Sequence, residues 1–364
     1  TRSGLAALAA AGLFAATYRH TGAWLDLGRA DSLMLLGLLG ATVLLRDGGD
    51  AAHVAAAAVA AAAVFTKQTA IVPALALAVF ALWRDRRRGI LYGATLLALM
   101  AGAGLAADRA HAGWLSYYTL VSSSRHPLVP RVFVLFFTRD LLAPLGIACL
   151  LALFHFLSPG GDPRARVFHA AFAAGMGLAA LLARANVGGY DNVLLPACAA
   201  LAILFGLGLH AARSAAAAHV HAAWRVLVPA AAAMQLAGLG YDPWRQIPTG
   251  DDRRAGERVV ALLAAERGPV FVPGHPYLLR LAGKPTHTHF VGINEVLTHG
   301  TPAVRAAFAA ELETALKGRR YDLVVLDSPL WFRREMEGAY QDAGAVFDEP
   351  EVFRPVTGAR LRPE

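Results

Sequence analysis

Residues 89–107 read GILYGATLLALMAGAGLAA, a stretch without one charged side chain. It follows a basic cluster formed by Arg84, Arg86, Arg87 and Arg88. A helix that crosses the hydrocarbon core of a bilayer needs about 20 predominantly apolar residues. The stretch therefore predicts a membrane-spanning helix, and similar apolar runs recur up to residue 240. The predicted spans, about nine in number, are 3–18, 32–45, 51–65, 69–83, 89–107, 140–157, 167–183, 193–210 and 226–240.

The composition of the whole chain also favours a membrane protein. Of its 364 residues, 56% are hydrophobic and 16% are charged, and the mean hydropathy is +0.46. Soluble globular proteins carry about 25% charged residues. These values exclude a disordered protein and disfavour an ordinary cytosolic enzyme. The net charge of +8 fits either a nucleic acid or a membrane as partner, so the positions of the charges decide between them.

The charged residues divide the chain into two parts. Residues 1–240 contain 18 Lys and Arg, nine Asp and no Glu, whereas residues 241–364 contain 16 Lys and Arg and 17 Asp and Glu. We therefore predict a membrane domain over residues 1–240 and a soluble domain over residues 241–364. A nucleic acid is excluded as a partner because the soluble part is slightly acidic and the excess Arg lies in membrane loops.

The short loops between the spans predict the orientation of the chain. Positively charged loops remain in the cytoplasm, which places loop 84–88 there and, by alternation, loops 46–50, 158–166 and 211–225. These four loops contain nine Lys and Arg in 34 residues, against eight in 57 residues of the opposite loops. Nine spans then place residues 241–364 on the outer face of the cell membrane, in the periplasm of a bacterium.

The start of the chain and its cysteines carry less information. The chain begins at Thr1, is apolar from Leu5 onwards and lacks the basic start of a usual signal peptide. We expect it to be a fragment whose N-terminal part is missing. The two cysteines, Cys149 and Cys198, lie in apolar runs and predict packing residues without a disulfide framework.

The first group of candidate functional residues lies in an outer loop, residues 24–32, which read WLDLGRADS. Asp26 and Asp31 flank Arg29 directly before a predicted span. Paired carboxylates of this kind hold a divalent metal ion or act as a general base. The alternative is that Asp31 caps the following helix while Asp26 and Arg29 form a surface ion pair.

Basic residues in two further outer loops suit an anionic ligand. Lys67 lies in a tight turn, where it either extends to the membrane surface or meets a phosphate. Arg125 and His126 lie in the longest outer loop, 108–139, and are suited to gripping a phosphate. The alternative for this loop is an aromatic belt at the interface beside solvated charges.

Hydrogen-bonding side chains also stand at the start of a predicted span. Tyr190, Asp191 and Asn192 follow the pair Gly188-Gly189, which permits backbone conformations that other residues avoid. Their groups suit a hydroxyl-rich ligand. Asp191 or Asn192 is equally well explained as a helix cap.

The soluble part has the pattern of a small α/β domain. Residues 269–272 and 322–326 predict short buried strands, and residues 253–266, 302–317 and 331–343 have helical periodicity. The histidines of this part lack the spacing of a known zinc motif, and no cysteine is near. We therefore expect no metal site among them.

The outer-loop motifs resemble those of the membrane-integral C-type glycosyltransferases. These motifs are W-x-D-L-x-R-x-D at 24–31, T-K-Q-T at 66–69 and G-G-Y-x-N at 188–192. The closest group is the family-39-like set, related to protein mannosyltransferases and to the lipid A aminoarabinose transferase. The tail segment that begins Val272-Pro273-Gly274-His275-Pro276-Tyr277 also resembles bacterial members of that set.

The resemblance implies transfer of a sugar from a polyprenyl-phosphate donor to a lipid, glycan or protein acceptor, with inversion at the anomeric carbon. Asp26 and Asp31 match the second acidic motif of the family, and the loop that usually carries the catalytic base would lie upstream. Arg29, Lys67, Arg125 and His126 would then bind the donor phosphate. Tyr190, Asp191 and Asn192 would face the sugar or acceptor. The resemblance leaves open whether a divalent cation such as Mg²⁺ or Mn²⁺ binds Asp26 or Asp31.

A transporter or flippase of a lipid-linked or small anionic substrate is the competing interpretation, because transporters also carry charged residues within the membrane. The sequence shows no inverted repeat, and its charges cluster at one membrane face instead of the midplane. A third interpretation is a non-catalytic membrane scaffold with an outer binding domain, against which the outer-loop charges argue.

Overall fold

The chain divides into two compact units in its computed structural model, which describes residues 3–159, 161–219, 222–356 and 361–364. The first unit comprises Thr1–Leu115 and Pro127–Tyr241, and the second comprises Ser116–His126 and Asp242–Glu364. The division after Tyr241 coincides with the change in charge composition. The assignment of Ser116–His126 to the second unit has no counterpart in the sequence, where these residues fall inside a predicted outer loop.

The first unit is helical throughout. Its helices are α1 (Gly4–Ala16), α2 (Ala30–Asp47), α3 (Asp50–Thr66), α4 (Ile71–Arg84), α5 (Arg86–Ala110), α6 (Trp114–Ser116, at the transition to the second unit), α7 (Pro130–Leu135), α8 (Ala143–Leu157), α9 (Pro163–Ala185), α10 (Leu195–His219) and α11 (Ala222–Gly238). Turns of 3-10 helix cover Gln68–Ala70 and Asp191–Leu194, and a π-helical segment, Phe136–Leu142, joins α7 to α8. A helix covers most of each predicted span.

Four helical segments of the described residues are long and apolar enough to cross a membrane. They are Arg86–Ala110, Pro130–Leu157, Pro163–Ala185 and Asp191–Ala217. Shorter apolar helices cover Gly4–Ala16, Asp50–Thr66 and Gln68–Arg84. The structure thus supports a mainly helical membrane-associated unit, and the finer count of nine spans stays a prediction.

The predicted boundary between loop 108–139 and the span at 140–157 is wrong. The helical segment begins ten residues earlier, at Pro130, because proline suits the first helical turn and an apolar run follows it. Arg139 and Asp140 do not end the segment, since the buried Asp140 carboxylate is paired with Arg184.

Helix α10 lies at the centre of the first unit, where it packs against α1, α8, α9 and α11. Along the most apolar stretch of its span, 78% of the residues are buried inside the protein, compared with 11% along α5. The apolar side chains of α5 point outward, as lipid-facing residues would. Two glycines allow the close approach of its neighbours. A Cβ atom on Gly206 would clash with the carbonyl oxygen of Ala6 in α1, and one on Gly208 would clash with that of Leu151 in α8.

The second unit combines short helices with one pair of strands. Its elements are a π-helical segment (Tyr117–Ser122), 3-10 turns (Ser123–Arg125 and Pro243–Gln246), α12 (Gly250–Ala265), β1 (Val270–Phe271), α13 (Pro276–Leu281), α14 (Phe290–His299), α15 (Pro302–Lys317), β2 (Leu323–Val324) and α16 (Arg333–Met336). The strands pair in parallel, with Val270 opposite Leu323 and Phe271 opposite Val324. They lie inside the two predicted strand segments, but two residues per strand do not establish an α/β domain.

Candidate functional site

Asp31 is the centre of the candidate site in the first unit. Its side chain is 3% exposed and forms an ion pair with the ammonium group of Lys67. Asn192 Nδ2 donates to Asp31 Oδ1 at 2.8 Å, and Arg29 Nε lies 3.9 Å from Asp31 Oδ2. These partners come from three separate motifs of the sequence. The three motifs therefore converge on one buried carboxylate.

The local backbone explains how Asp31 and Lys67 meet. Helix α2 begins at Ala30, so the Asp31 carboxylate stands in its first turn, where the helix dipole stabilises a negative charge. Lys67 follows the last residue of α3 in an extended conformation that ends this helix. Burying an ammonium group and a carboxylate as a pair costs less free energy than burying either charge alone.

The interpretation of Asp31 as a helix cap is wrong. The N-cap residue of α2 is Arg29, and its side chain makes no capping hydrogen bond. The same holds for Asp191 and Asn192, because Tyr190 occupies the N-cap position of their 3-10 turn. Lys67 does meet an anion, as one interpretation expected, but that anion is the Asp31 carboxylate of the same chain.

An aromatic and cationic surface adjoins this cluster. The Arg29 guanidinium lies 4.4 Å from the ring centre of Trp24, and the rings of Trp24 and Tyr190 are 5.4 Å apart. The Arg29 side chain is 57% exposed, so a phosphate can reach it, and Tyr190 is 43% exposed. The Trp24 ring itself is buried, at 9% exposed, so the surface consists of the exposed Tyr190 ring beside the Arg29 guanidinium. An exposed aromatic ring beside a guanidinium group suits a ligand that combines a sugar with a phosphate.

A second buried ion pair, between Asp140 and Arg184, supports the same site. Arg184 Nε lies 2.9 Å from Asp140 Oδ2, and Arg184 Nη2 lies 3.0 Å from Asp191 Oδ1. Arg184 Nη1 also donates to the carbonyl of Gly189 at 2.9 Å. Because Asp191 binds Arg184 and the next residue, Asn192, binds Asp31, the two clusters are linked through consecutive residues.

Sequence reasoning missed the roles of Asp140 and Arg184. Asp140 is the first residue of the predicted span 140–157, and Arg184 directly follows the predicted span 167–183, so both stand at span ends, where charged side chains are common. A signal was present, since Asp140 interrupts an otherwise apolar stretch in which a charge is costly. The structure places it in the π-helical segment Phe136–Leu142, a local distortion that often occurs at functional sites.

Asp26 differs from Asp31 in its surroundings. Asp26 is exposed, and its Oδ1 accepts a hydrogen bond of 2.9 Å from the hydroxyl of Tyr18. Of the two candidate catalytic carboxylates, Asp26 is thus the one that a substrate can reach.

Arg125 and His126 do not join these residues within one unit, because both belong to the second unit. His126 Nε2 donates to the carboxylate of Glu295, at 2.8 Å from Oε1 and 3.1 Å from Oε2. Burial alone would raise the pKa of Glu295, but hydrogen bonds from Ser122 and His126 and the nearby histidine charges outweigh it and hold this pKa below its ordinary value. His126 thus has an anionic partner in its own chain, which weakens its assignment as a phosphate ligand.

Asp31 is poorly suited to hold a divalent cation. Its Oδ1 already accepts from the Lys67 ammonium and the Asn192 amide, so a positive charge stands where the ion would bind. Among the described residues, the one grouping of three metal-ligating side chains contains neither Asp26 nor Asp31. If a metal ion binds at this site, the exposed Asp26 is the remaining ligand.

No known protein family, curated protein or solved structure gives a significant match to this chain. The assignment of a function therefore rests on the residues of the site and on their motifs.

Proposed function

We propose that this protein transfers a sugar from a polyprenyl-phosphate donor to a lipid, glycan or protein acceptor at the outer face of the membrane. The observation that carries the proposal is the convergence of three motifs on the Asp31 carboxylate. Lys67 and Asn192 contact Asp31 directly, and Arg29 stands beside it. This motif set is the one through which the sequence resembles the C-type glycosyltransferases.

In this proposal Asp26 accepts the proton of the acceptor hydroxyl or orients that hydroxyl for attack on the anomeric carbon. The lipid phosphate leaves on the opposite side, with inversion. The exposed guanidinium of Arg29 stabilises the negative charge that builds on the phosphate. Asp31, Lys67 and Asn192 hold the loop that carries Arg29 and Asp26.

The exposed ring of Tyr190, packed against the buried Trp24 ring, forms the surface on which the sugar rests, and Asp191 is held by Arg184 beside it. The assignment of Arg125 and His126 to the donor phosphate stays a prediction from the sequence, and the proposal does not depend on it. The proposal needs no divalent cation, although a Mg²⁺ or Mn²⁺ ion on Asp26 would stabilise the same phosphate charge.

The proposed setting is the inner membrane of a bacterial cell. About nine spans would carry the chain across it, and residues 241–364 would form a small α/β domain outside the cytoplasm. Four long apolar helices and three shorter ones among the described residues support a membrane location. The outer-face position of the candidate site rests on the positive-inside distribution of Arg and Lys.

The direct test measures release of polyprenyl phosphate from a polyprenyl-phosphate sugar by the purified protein in lipid nanodiscs. We expect Asp26→Asn to lower the rate by about 10²–10⁴-fold, the usual contribution of a general base. Asp31→Asn should also abolish release, because the loop that positions Arg29 loses its anchor. Asp47→Asn, which removes an exposed carboxylate from an inner loop, is the matched control and should leave the rate unchanged. Normal turnover in both Asp26→Asn and Asp31→Asn would contradict the site.

One observation favours a transporter or flippase as the second candidate. Asp140 and Arg184 form a buried ion pair between two segments that are long enough to span a membrane, and such intramembrane charges are frequent along transport paths. Passage of a lipid-linked or small anionic substrate across a liposome membrane, without sugar transfer, would favour this function over the first.

A further inference from the structure

Three side chains of the second unit meet at a place that the proposed function does not use. They are His126, Glu295 and His299, and their nearest ligand atoms all lie within 4.8 Å of one another. Glu295 and His299 are one helical turn apart near the end of α14, so both project from the same face. His126 follows the 3-10 turn Ser123–Arg125 and reaches Glu295 from a position 169 residues away.

We propose that His126, Glu295 and His299 bind a transition-metal ion of the Zn²⁺ class. The inference is independent of sugar transfer, because none of the three residues belongs to the candidate site of the first unit. It also revises the expectation drawn from the sequence, in which the histidines of the tail lack zinc spacing. The comparison with zinc motifs covered only the histidines of residues 241–364, and His126 lies far outside this range.

The distances suit an ion bound by all three side chains. Zn²⁺ binds imidazole nitrogen at about 2.0–2.1 Å and carboxylate oxygen at about 2.0–2.2 Å in a tetrahedron, which places ligand atoms about 3.3 Å apart. His126 Nε2 already lies 2.8 and 3.1 Å from the two oxygens of Glu295. The rings of His126 and His299 are 4.0 Å apart, centre to centre. The ring centres of two imidazoles on one tetrahedral Zn²⁺ lie about 5 Å apart, so the His126 and His299 rings would turn away from each other to admit the ion.

The types of ligand restrict the metal. Two imidazoles and one carboxylate suit zinc, iron, nickel or copper, whereas Mg²⁺ and Ca²⁺ prefer oxygen ligands throughout. Three protein ligands leave the fourth tetrahedral position for water. His126 and Glu295 are 24% and 23% exposed, so an ion and its water can reach them from solvent.

One neighbouring side chain orients a ligand, and another ties the segment Ser116–His126 to the end of α14. The hydroxyl of Ser122 donates to Glu295 Oε1 and fixes the carboxylate. The hydroxyl of Tyr117 accepts a hydrogen bond of 3.2 Å from the backbone N–H of Thr301, just after α14. A bound ion would therefore hold the segment Ser116–His126 against α14 within the second unit.

The test is a titration of the full chain with Zn²⁺. The protein is purified in detergent without a polyhistidine tag, stripped with a chelator, dialysed and titrated in a calorimeter. We expect one Zn²⁺ per chain and slower hydrogen exchange in residues 116–126 and 290–299 when the ion is bound. Glu295→Gln and His299→Ala should each weaken binding by at least about 100-fold, and Ser122→Ala by about 10-fold, as is typical for a residue that orients a ligand.

His111→Ala is the matched control, because it removes an exposed histidine from the first unit and should leave Zn²⁺ binding unchanged. Glu295→Gln keeps the size and the hydrogen-bonding oxygen of the side chain, so it separates loss of a ligand from loss of folding. The proposal is overturned if the stripped protein takes up no stoichiometric Zn²⁺. It is equally overturned if Glu295→Gln and His299→Ala bind the ion as tightly as the unaltered chain.

Discussion

At the scale of single residues, the degree of burial determines how much an ion pair contributes to stability. Asp31 is 3% exposed and Lys67 24%, so both have left most of their water and depend on each other. Arg46 and Asp47 form an ion pair of the same type at the surface, with exposures of 56% and 69%. Surface pairs contribute about 0–1 kcal/mol, whereas removing one partner of a buried pair costs about 3–5 kcal/mol.

Lys67→Gln should therefore destabilise the first unit. We expect a loss of about 2–3 kcal/mol, less than for a fully buried pair because Lys67 keeps contact with solvent and Arg29 compensates in part. The free energy of unfolding is measured by titration with dodecyl sulfate in mixed micelles.

The double variant Asp31→Asn/Lys67→Gln should be more stable than Lys67→Gln, since it leaves no uncompensated charge in the interior. Arg46→Ala serves as the surface control and should change the free energy of unfolding by less than about 1 kcal/mol. Equal stability of the single and double variants would show that Asp31 is not buried as an ion.

At the scale of helices, small residues decide which surfaces come together. Ala56, Ala57 and Ala60 are fully buried in α3, which packs against both α2 and α5. Gly206 and Gly208 likewise let α10 pack closely against α1 and α8. In a membrane, helices associate through close packing and not through exclusion of water, which makes these backbone approaches important.

Gly208→Ala should weaken the packing of α10 against α8. The added methyl group meets the backbone of Leu151, which cannot rotate away, and we expect a cost of about 1–3 kcal/mol. Gly177→Ala in α9 is the matched control, because no atom lies within 4 Å of the added Cβ.

Since alanine favours a helix over glycine by up to about 1 kcal/mol, Gly177→Ala should be neutral or stabilising. Unfolding in mixed micelles compares the two variants. A Gly208→Ala protein as stable as Gly177→Ala would mean that α8 and α10 do not approach closely in the membrane.

At the scale of the whole molecule, the distribution of charge predicts the topology. Arg84 ends α4, while Arg86, Arg87 and Arg88 begin α5. Asp50 pairs with Arg87 and Arg88. Such a cluster resists transfer across the membrane. The tail, which has balanced charge, lies on the other side of the membrane if the number of spans after this cluster is odd.

Fusions with reporter proteins test this topology. Alkaline phosphatase attached after Glu364 should be active, because the enzyme folds only outside the cytoplasm, and green fluorescent protein at the same place should be dark. Fusions made after Arg88 should give the reverse result. Active phosphatase after Arg88, or fluorescence after Glu364, would contradict the predicted orientation and remove the candidate site from the outer face.

Most helices of the first unit and the change of composition near Tyr241 follow from the sequence alone, whereas the helix predicted over residues 331–343 covers only Arg333–Met336. Helix formation in an apolar run depends on local spacing and length, which can be counted along the chain. The sequence also selected Asp26, Arg29, Asp31, Lys67 and Asn192 as candidates, because charged and polar groups beside apolar helices are costly unless they have a role.

Which of these groups contact one another follows from the packing of the helices and not from the sequence pattern. Lys67 and Asp31 are 36 residues apart, and Asn192 is 161 residues from Asp31. Contacts over such separations depend on how helices pack, and no local pattern encodes them. For the same reason the structure alone showed that Asp140 lies within a helical segment that begins at Pro130. It also showed that His126 meets Glu295 and His299, because side-chain pairing across packed elements arises only after the chain has folded.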